Sequence, residues 1–376
     1  MRKVITTVGT SLFDNFRAHS NAIDIHYDVI KDKPTSEWNN IGGRIQKVGT
    51  ALTSWAKGDA NASAEIKSIV KIQEMLKDNL EVYLLATDTV VSRFAAEIIK
   101  DWFKNYGQKI EVMFDEAKDV ISALQVGNYE RLVREGLPNL INRINWIAGV
   151  GTDSPGYFDN MIFNITGGYK AVIPYMTIMA QVNGCKIVYI FEDTDSLISI
   201  PPLPVKIDFE IFETYSTEIA WLDEGIENYQ QAKKLYFERF SELEQKRLVE
   251  QIDNYAMLSP VGKIFYERLK RKTFLFYAPD DIYSELSKQG HIIRILQSKF
   301  TNRQLLESKT EKKDGHYVYD DGNNNNRIYY FNNKGNYYIY KTFQSEEDAR
   351  KFIDTQVDRN KIIRESKLRK LEVQSV

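Results

Sequence analysis

The sequence predicts an α/β fold: a Rossmann-like parallel sheet over residues 1–207, a helical connector over 208–272 and a small α+β domain over 273–376. Three observations predict it. Short apolar runs alternate with amphipathic stretches through the first 205 residues, which is the pattern of βαβ units. The prolines of Ile200-Pro-Pro-Leu-Pro204 end that pattern, and Glu, Gln, Lys, Leu and Tyr dominate from about Thr217 to Lys272. After Thr273 the order becomes strand, helices, then consecutive strands.

In chain order, strands are expected at Lys3–Val8, Glu81–Ala86, Lys109–Phe114, Met161–Thr166 and Lys186–Phe191. Continuous apolar runs such as Val-Tyr-Leu-Leu-Ala suit strands buried on both faces. Helices are expected at Gly43–Trp55, Ser63–Lys77, Val91–Tyr106, Val120–Ala148 and Gly168–Val182. Right-handed crossovers between these strands give an open parallel sheet with helices on both faces. In the connector, Leu235, Phe240, Leu243 and Leu248 fit a helical stripe, which Ser259-Pro260-Val-Gly262 interrupts before a helix at Lys263–Lys272. A winged helix is one arrangement compatible with this segment.

The last domain is expected to hold a strand at Phe274–Tyr277, helix over Pro279–Lys299 and a short strand at His316–Tyr319. Arg327–Phe331 and Asn336–Phe343 form a hairpin around Asn332-Asn-Lys-Gly335. A helix at Ser345–Thr355 is capped by Ser345 and carries acids in its first turn.

Composition narrows the functional classes. The chain has 376 residues, is 43% apolar, and contains one cysteine, Cys185, and four scattered histidines. A disulfide framework, a thiolate metal cluster and a multi-histidine metal site are therefore not expected. No apolar run is long enough for a membrane span, and a soluble, cytoplasmic protein is expected. The net charge of −2 hides a partition: residues 261–376 hold 23 basic and 16 acidic residues, whereas residues 1–260 hold 27 and 36. A +7 domain follows a −9 one, and the former suits a nucleic-acid partner.

Open parallel sheets bind ligands at the carboxyl ends of their strands. Three loops there are chemically distinctive: Gly9-Thr10-Ser11-Leu12, Thr87-Asp88-Thr89 and Thr166-Gly167-Gly168-Tyr169-Lys170. Glycines allow close backbone approach, hydroxyls and N–H groups suit an anion, Lys170 adds a cation and Tyr169 a stacking surface. Together they suit a ligand of phosphates and flat bases, although each alone also suits a tight turn or strand–helix packing. The lack of Gly-x-Gly-x-x-Gly after the first strand argues against a dinucleotide dehydrogenase.

Thr7-Val8-Gly9-Thr10-Ser11-Leu12 and Asn164-Ile165-Thr166-Gly167-Gly168-Tyr169-Lys170-Ala171, with Ile190-Phe191-Glu192 and the proline run, resemble the CARF domain, the CRISPR-associated Rossmann-fold sensor of type III systems. The resemblance covers residues 1–205. It implies a homodimer that binds a cyclic oligoadenylate across its two-fold axis, with cyclic tetra-adenylate the expected ring. It also implies that the Thr10–Ser11 loop and Gly167–Gly168 hold phosphates with Lys170 neutralising them, and Gly9, Leu12, Thr87, Asp88, Thr89, Thr166 and Tyr169 of the three sheet-edge loops complete the expected site. The activator is an allosteric ligand, and no cofactor or metal is expected.

Such a sensor needs an output domain. No histidine has an arginine at the spacing of a HEPN ribonuclease. Glu307-Ser308-Lys309 offers the tripeptide of a metal-dependent nuclease, but in a polar stretch without flanking strands. The order of elements over 273–356, with Phe274-Leu-Phe-Tyr277, Arg327-Ile-Tyr-Tyr-Phe331 and Tyr337-Tyr-Ile-Tyr-Lys341-Thr-Phe343, resembles RelE, a ribosome-dependent mRNA interferase. That resemblance implies metal-independent RNA cleavage with the ribosome and mRNA as partners, Arg327 on the transition state, and Lys341 and His316 as catalytic base, acid or further cation. The chain departs from RelE where Gln344-Ser345-Glu346-Glu347 and Val318-Tyr319-Asp320-Asp321 replace basic residues, and Tyr317, Tyr319, Tyr329 or Tyr338 are candidates to stand in by stacking on a base. The basic tail Arg359–Lys370 suits either ribosomal RNA or a solvated helix face. A transcription regulator reading DNA near Lys263–Lys272 is the non-enzymatic alternative.

Overall fold

The computed structural model describes residues 1–107, 109–124, 127–149, 158–191, 196–204, 207–300, 303–313, 315–320, 322, 325–333 and 336–372. It divides into two compact units, the first of residues 1–149 and 157–206, the second of 150–156 and 207–376.

The first unit is built on one sheet. Its strands are β1 (Arg2–Val8), β2 (Leu80–Thr87), β3 (Ile110–Met113), β4 (Val120–Ile121), β5 (Ile162–Asn164), β6 (Lys186–Ile190) and β7 (Leu197–Ile200). The order is β3-β2-β1-β5-β6-β7, with β4 beside the end of β2. All pairs are parallel except β6–β7, so the expected all-parallel sheet has an antiparallel edge. β1 lies at its centre, where Val4 and Ile5 are fully buried, as their unbroken apolar run requires.

Helices Gly42–Ala56, Ala64–Leu76 and Val90–Lys104 lie close to their expected positions. The amphipathic pattern of Val90–Lys104 buries Phe94, Ile98 and Ile99. The single helix expected over 120–148 is instead a strand and a turn, with helix only from Tyr129 and a π-helical stretch at Leu132–Gly136. Helices Ser11–His19 and Asp24–Ile30, which the periodicity did not mark, follow β1.

The second unit begins with helices Glu210–Thr214, Ser216–Glu224, Tyr229–Leu235 and Phe237–Gln245. An antiparallel hairpin follows, β8 (Val249–Ile252) and β9 (Tyr255–Leu258), and Ile226 bridges to Ala256 beside it. Helix, bridge, two helices and hairpin is the order of a winged helix. Leu248 therefore leads into a strand rather than continuing a helix, and Leu235 is 72% exposed instead of lying on an apolar stripe. Ser259 does not break a helix; its Oγ accepts from Gly262 N–H and caps helix Pro260–Lys272.

The rest is a six-stranded sheet of β10 (Thr273–Ala278), β11 (Thr310–Lys313), β12 (His316–Tyr319), β13 (Arg327–Asn333), β14 (Asn336–Phe343) and β15 (Lys367–Glu372), in the order β11-β12-β13-β14-β10-β15. β10 runs parallel to β14, and the remaining pairs are antiparallel. The β13–β14 hairpin is present, while residues 334 and 335 of its turn lie outside the described residues. Helices Asp280–Leu286 and Gly290–Ser298 cover one face through Ile282, Leu286, Ile292, Ile295 and Leu296. Helix Glu346–Phe352 and the segment beyond it cover the other, over Val318, Tyr329, Phe331, Tyr338 and Tyr340. The basic tail is not one helix: after Arg359–Glu365 the chain adds edge strand β15. Among the described residues no helix is long and apolar enough to cross a membrane.

Candidate functional site

The central position of β1 brings the expected loops of the first unit to one edge. Thr7 Oγ1 donates to the Gly167 carbonyl at 2.7 Å, tying the end of β1 to the loop after β5. Gly168 has φ of +100°, and a side chain there would run into Thr7. A Cβ on Gly9 would lie 2.9 Å from Gly168 N, so the two loops touch backbone to backbone only because both residues are glycine. Beneath them Asn164, fully buried, donates to Ser68 Oγ at 2.8 Å and accepts from Thr166 Oγ1 at 2.7 Å. Such a filled network fixes the loop in one conformation.

Thr87, Asp88 and Thr89 sit beside this edge but are engaged by the scaffold. Thr89 caps helix Val90–Lys104 and its hydroxyl lies 3.0 Å from that of Thr87. Asp88 accepts from Ala123 N–H at 2.9 Å, and Ser92 Oγ links the Thr87 N–H to the Val8 carbonyl. Tyr169 is half-buried, and the exposed Lys170 opens a 3-10 turn leading into helix Ile173–Val182. Leu12 is fully buried in the core, so its side chain is unavailable to a ligand.

A residue the motifs did not single out organises this edge. Glu65, 1% exposed, accepts from Gly9 N–H at 2.8 Å and from Ser11 Oγ at 2.6 Å. It stands in the first turn of helix Ala64–Leu76, where the helix dipole favours an anion, and Ala64 N–H donates to Ser11 Oγ at 3.1 Å. Thr10 Oγ1 donates to Asp14 at 2.8 Å. Three donors expected to hold phosphate thus already serve carboxylates. The signal available in sequence was only a Ser63-Ala-Glu65 helix start; its link to Gly9 spans 56 residues.

In the second unit, Arg327, Lys341 and His316 belong to neighbouring strands around the fully buried Tyr329. Lys341 pairs with Tyr329 in register, Arg327 pairs with Phe343, and the His316 ring lies 5.5 Å from that of Tyr329. The three do not converge. Arg327 is ion-paired to Asp320 at 2.9 Å with both side chains mostly buried. Lys341 lies 3.8 Å from Glu285, both partly exposed. His316 is 4% exposed, between the Tyr340 hydroxyl at 2.7 Å and the Thr355 carbonyl at 3.1 Å. Tyr330, on the opposite face, is pushed up to about 12 by burial. Glu307 lies on helix Arg303–Ser308 rather than on a strand, and among the described residues no three His, Cys, Asp or Glu side chains gather to hold a metal.

The segment that supplies Glu65 and two of the three loops is also the part that resembles known proteins. Residues 60–203 match a family of CRISPR-associated proteins, Cas_APE2256. No curated protein matches the chain. Among solved structures, Can2 from Sulfobacillus thermosulfidooxidans in complex with cyclic tetra-adenylate aligns over 91% of this chain and 77% of that one, at 11% identity and a TM-score of 0.24. At that score the alignment bears on neither fold nor function.

Proposed function

We propose that the chain is a cyclic-oligoadenylate-activated, ribosome-dependent mRNA endoribonuclease of type III CRISPR defence. The observation that carries this reading is the meeting of three loops at one sheet edge, two of them in the segment matched by the CRISPR-associated family. Lys170, Tyr169 and the backbone around Gly168 would receive the ring across the axis of a homodimer, with Glu65 holding the Gly9–Ser11 turn in place. Cyclic tetra-adenylate is the proposed ring.

For the output, the sheet order with β10 parallel to β14, and the Arg327–Phe343 hairpin beside it, support a RelE-like head. Cleavage would use the RNA's own 2′-hydroxyl as nucleophile and need no metal. Arg327 would stabilise charge on the phosphorane, and Lys341 or His316 would move the proton. The ribosome would position the mRNA. Activator binding would shift the population toward a competent arrangement of the two heads.

The winged-helix order favours a second reading, a ligand-responsive regulator of transcription. Its third helix argues against DNA: Phe237–Gln245 carries Glu238, Glu242 and Glu244, and its Arg239 is held by Glu218. One assay separates the readings. The protein is incubated with each cyclic oligoadenylate and with naked RNA, supercoiled DNA or translating ribosomes, and EDTA is added to the naked RNA and DNA arms. Ring-dependent cleavage of mRNA on ribosomes, with none of naked DNA, is expected. EDTA-sensitive nicking of DNA, or ring-dependent operator binding without cleavage, would overturn the reading.

A further inference from the structure

The second unit contains a cavity of about 490 Å³ on the sheet face opposite helices 280–298, lined among others by His316, Tyr340, Asp354, Thr355, Gln356 and Arg359. Its size suits a nucleotide. The two strand residues in it are buried and chemically coupled. Thr355 O is a carbonyl and can only accept, so His316 Nε2 carries the hydrogen of that bond. In the neutral imidazole Nδ1 is then a bare acceptor, and the Tyr340 hydroxyl donates to it at 2.7 Å. The hydroxyl keeps its oxygen lone pairs for a further donor. Burial raises the Tyr340 phenol well above its ordinary range, against the opposing effect of Arg359, so the hydroxyl stays protonated.

Arg359 supplies the cation. Its Nη2 donates to the Gly315 carbonyl at 2.8 Å, and the guanidinium lies over the Phe331 ring at 5.3 Å from its centroid. An arginine anchored this way presents the rest of its planar fork to a phosphate. Asp354, exposed at the rim, suits a donor such as a base amino group and disfavours phosphate on its own side.

We propose that this cavity is the RNA site of the unit, taking a nucleotide of single-stranded RNA with its phosphate on Arg359 and its ribose 2′-hydroxyl donating to Tyr340. The proposal rests on the ribonuclease reading and relocates its chemistry. Tyr340 is the catalytic residue that touches substrate; His316 is a positioning residue that acts through it. In the cleavage step the 2′-oxygen forms a bond to phosphorus as the bond to the 5′-oxygen breaks. The 2′-hydroxyl proton passes to Tyr340 Oη while the proton of Tyr340 passes to His316 Nδ1. The departing 5′-oxygen takes a proton from water. The products are a 2′,3′-cyclic phosphate and a 5′-hydroxyl.

The test uses the full chain with two readouts. The first is binding of an RNA trinucleotide carrying 2′-deoxyribose at the scissile position, titrated to millimolar concentration and followed by NMR. The second is ring-activated cleavage of mRNA on ribosomes. Arg359→Met should weaken trinucleotide binding about 10-fold or more. Tyr340→Phe keeps the ring and the fold, and should bind within about twofold while cleavage falls about 100-fold or more. His316→Gln should lower cleavage as far as Tyr340→Phe does, and the double variant no further, which a merely structural histidine would not produce. Lack of saturable binding overturns the proposal, as does full cleavage by Tyr340→Phe. If mRNA on ribosomes is cleaved and the Arg359→Met and Tyr340→Phe variants are unaffected, the pocket fails and the proposed function stands. If nothing is cleaved but binding requires Arg359, the interferase reading fails and the RNA site stands.

Discussion

Glu65→Ala tests whether a buried carboxylate, and not the ligand, holds the Gly9–Ser11 turn. The substitution removes both acceptors, leaving the Gly9 N–H and the Ser11 hydroxyl without their partner. Hydrogen bonds to a charged group contribute about 1.5–3 kcal/mol each. Gly9 and Ser11 are only half-buried, so water recovers part of that, and a net loss of about 3 kcal/mol is expected. For a unit of this size it corresponds to a fall of about 6–12 °C in Tm. Glu65→Gln keeps the shape and one good acceptor while losing the charge at the helix N-terminus, so about 1 kcal/mol is expected. Tryptophan fluorescence during thermal unfolding reads this directly, because Trp38, Trp55, Trp102 and Trp146 lie in the first unit and only Trp221 in the second. A Glu65→Ala protein melting within about 2 °C of the parent would refute the reasoning, as would a Glu65→Gln protein damaged equally.

Gly168→Ala puts a side chain into Thr7 at a left-handed φ, and should cost about 2 kcal/mol or more while abolishing retention of cyclic tetra-adenylate in a filter-binding assay. Glu267 gives a pH dependence: burial opposes its ionisation, but Lys270 and Lys263 outweigh that and lower it to about 2. Its stabilisation is therefore complete above the unfolded value of 4.5 and is lost as pH falls from there through about 2. The loss should be on the order of 3 kcal/mol, seen as a falling urea midpoint of the second unit, and Glu267→Gln should flatten that fall. Lys341→Ala breaks a long, partly exposed pair, so stability by urea unfolding should change by less than about 0.5 kcal/mol. Arg327→Ala leaves Asp320 mostly buried without its cation, so it should cost about 3 kcal/mol by urea unfolding, with ring binding in the first unit intact.

What could be read in advance divides along a physical line. The central strands β1, β2 and β5 of the first sheet are buried over most of their length, and burial on both faces writes a continuous apolar run that needs no knowledge of neighbours. The loops were legible because glycine at a turn is a local demand, and Gly9 and Gly168 do meet. Glu65 was not, because its partners lie more than fifty residues away and a glutamate in a first helical turn already has a sufficient local explanation. The β8–β9 hairpin escaped for a related reason: Val249–Leu258 mixes short apolar and polar runs that tertiary packing, and not period, resolves.

Charge shows the same limit. The +7 of residues 261–376 was counted as a basic surface fit for RNA. Strand β15 changes that count, since Lys-Leu-Arg-Lys-Leu-Glu pairs with β10 as a sheet edge, and charged residues are what protect an edge from pairing further. Lys367 and Arg369 share Asp280, which they hold below the usual carboxylate range, and Lys370 meets Glu213 at 2.5 Å. These cations are spent within the protein. The positive charge relevant to RNA must therefore be sought away from such ion pairs, and Arg359, seated on a carbonyl and an aromatic ring beside the His316–Tyr340 pair and in no ion pair among the described residues, meets that condition better than the tail that follows it.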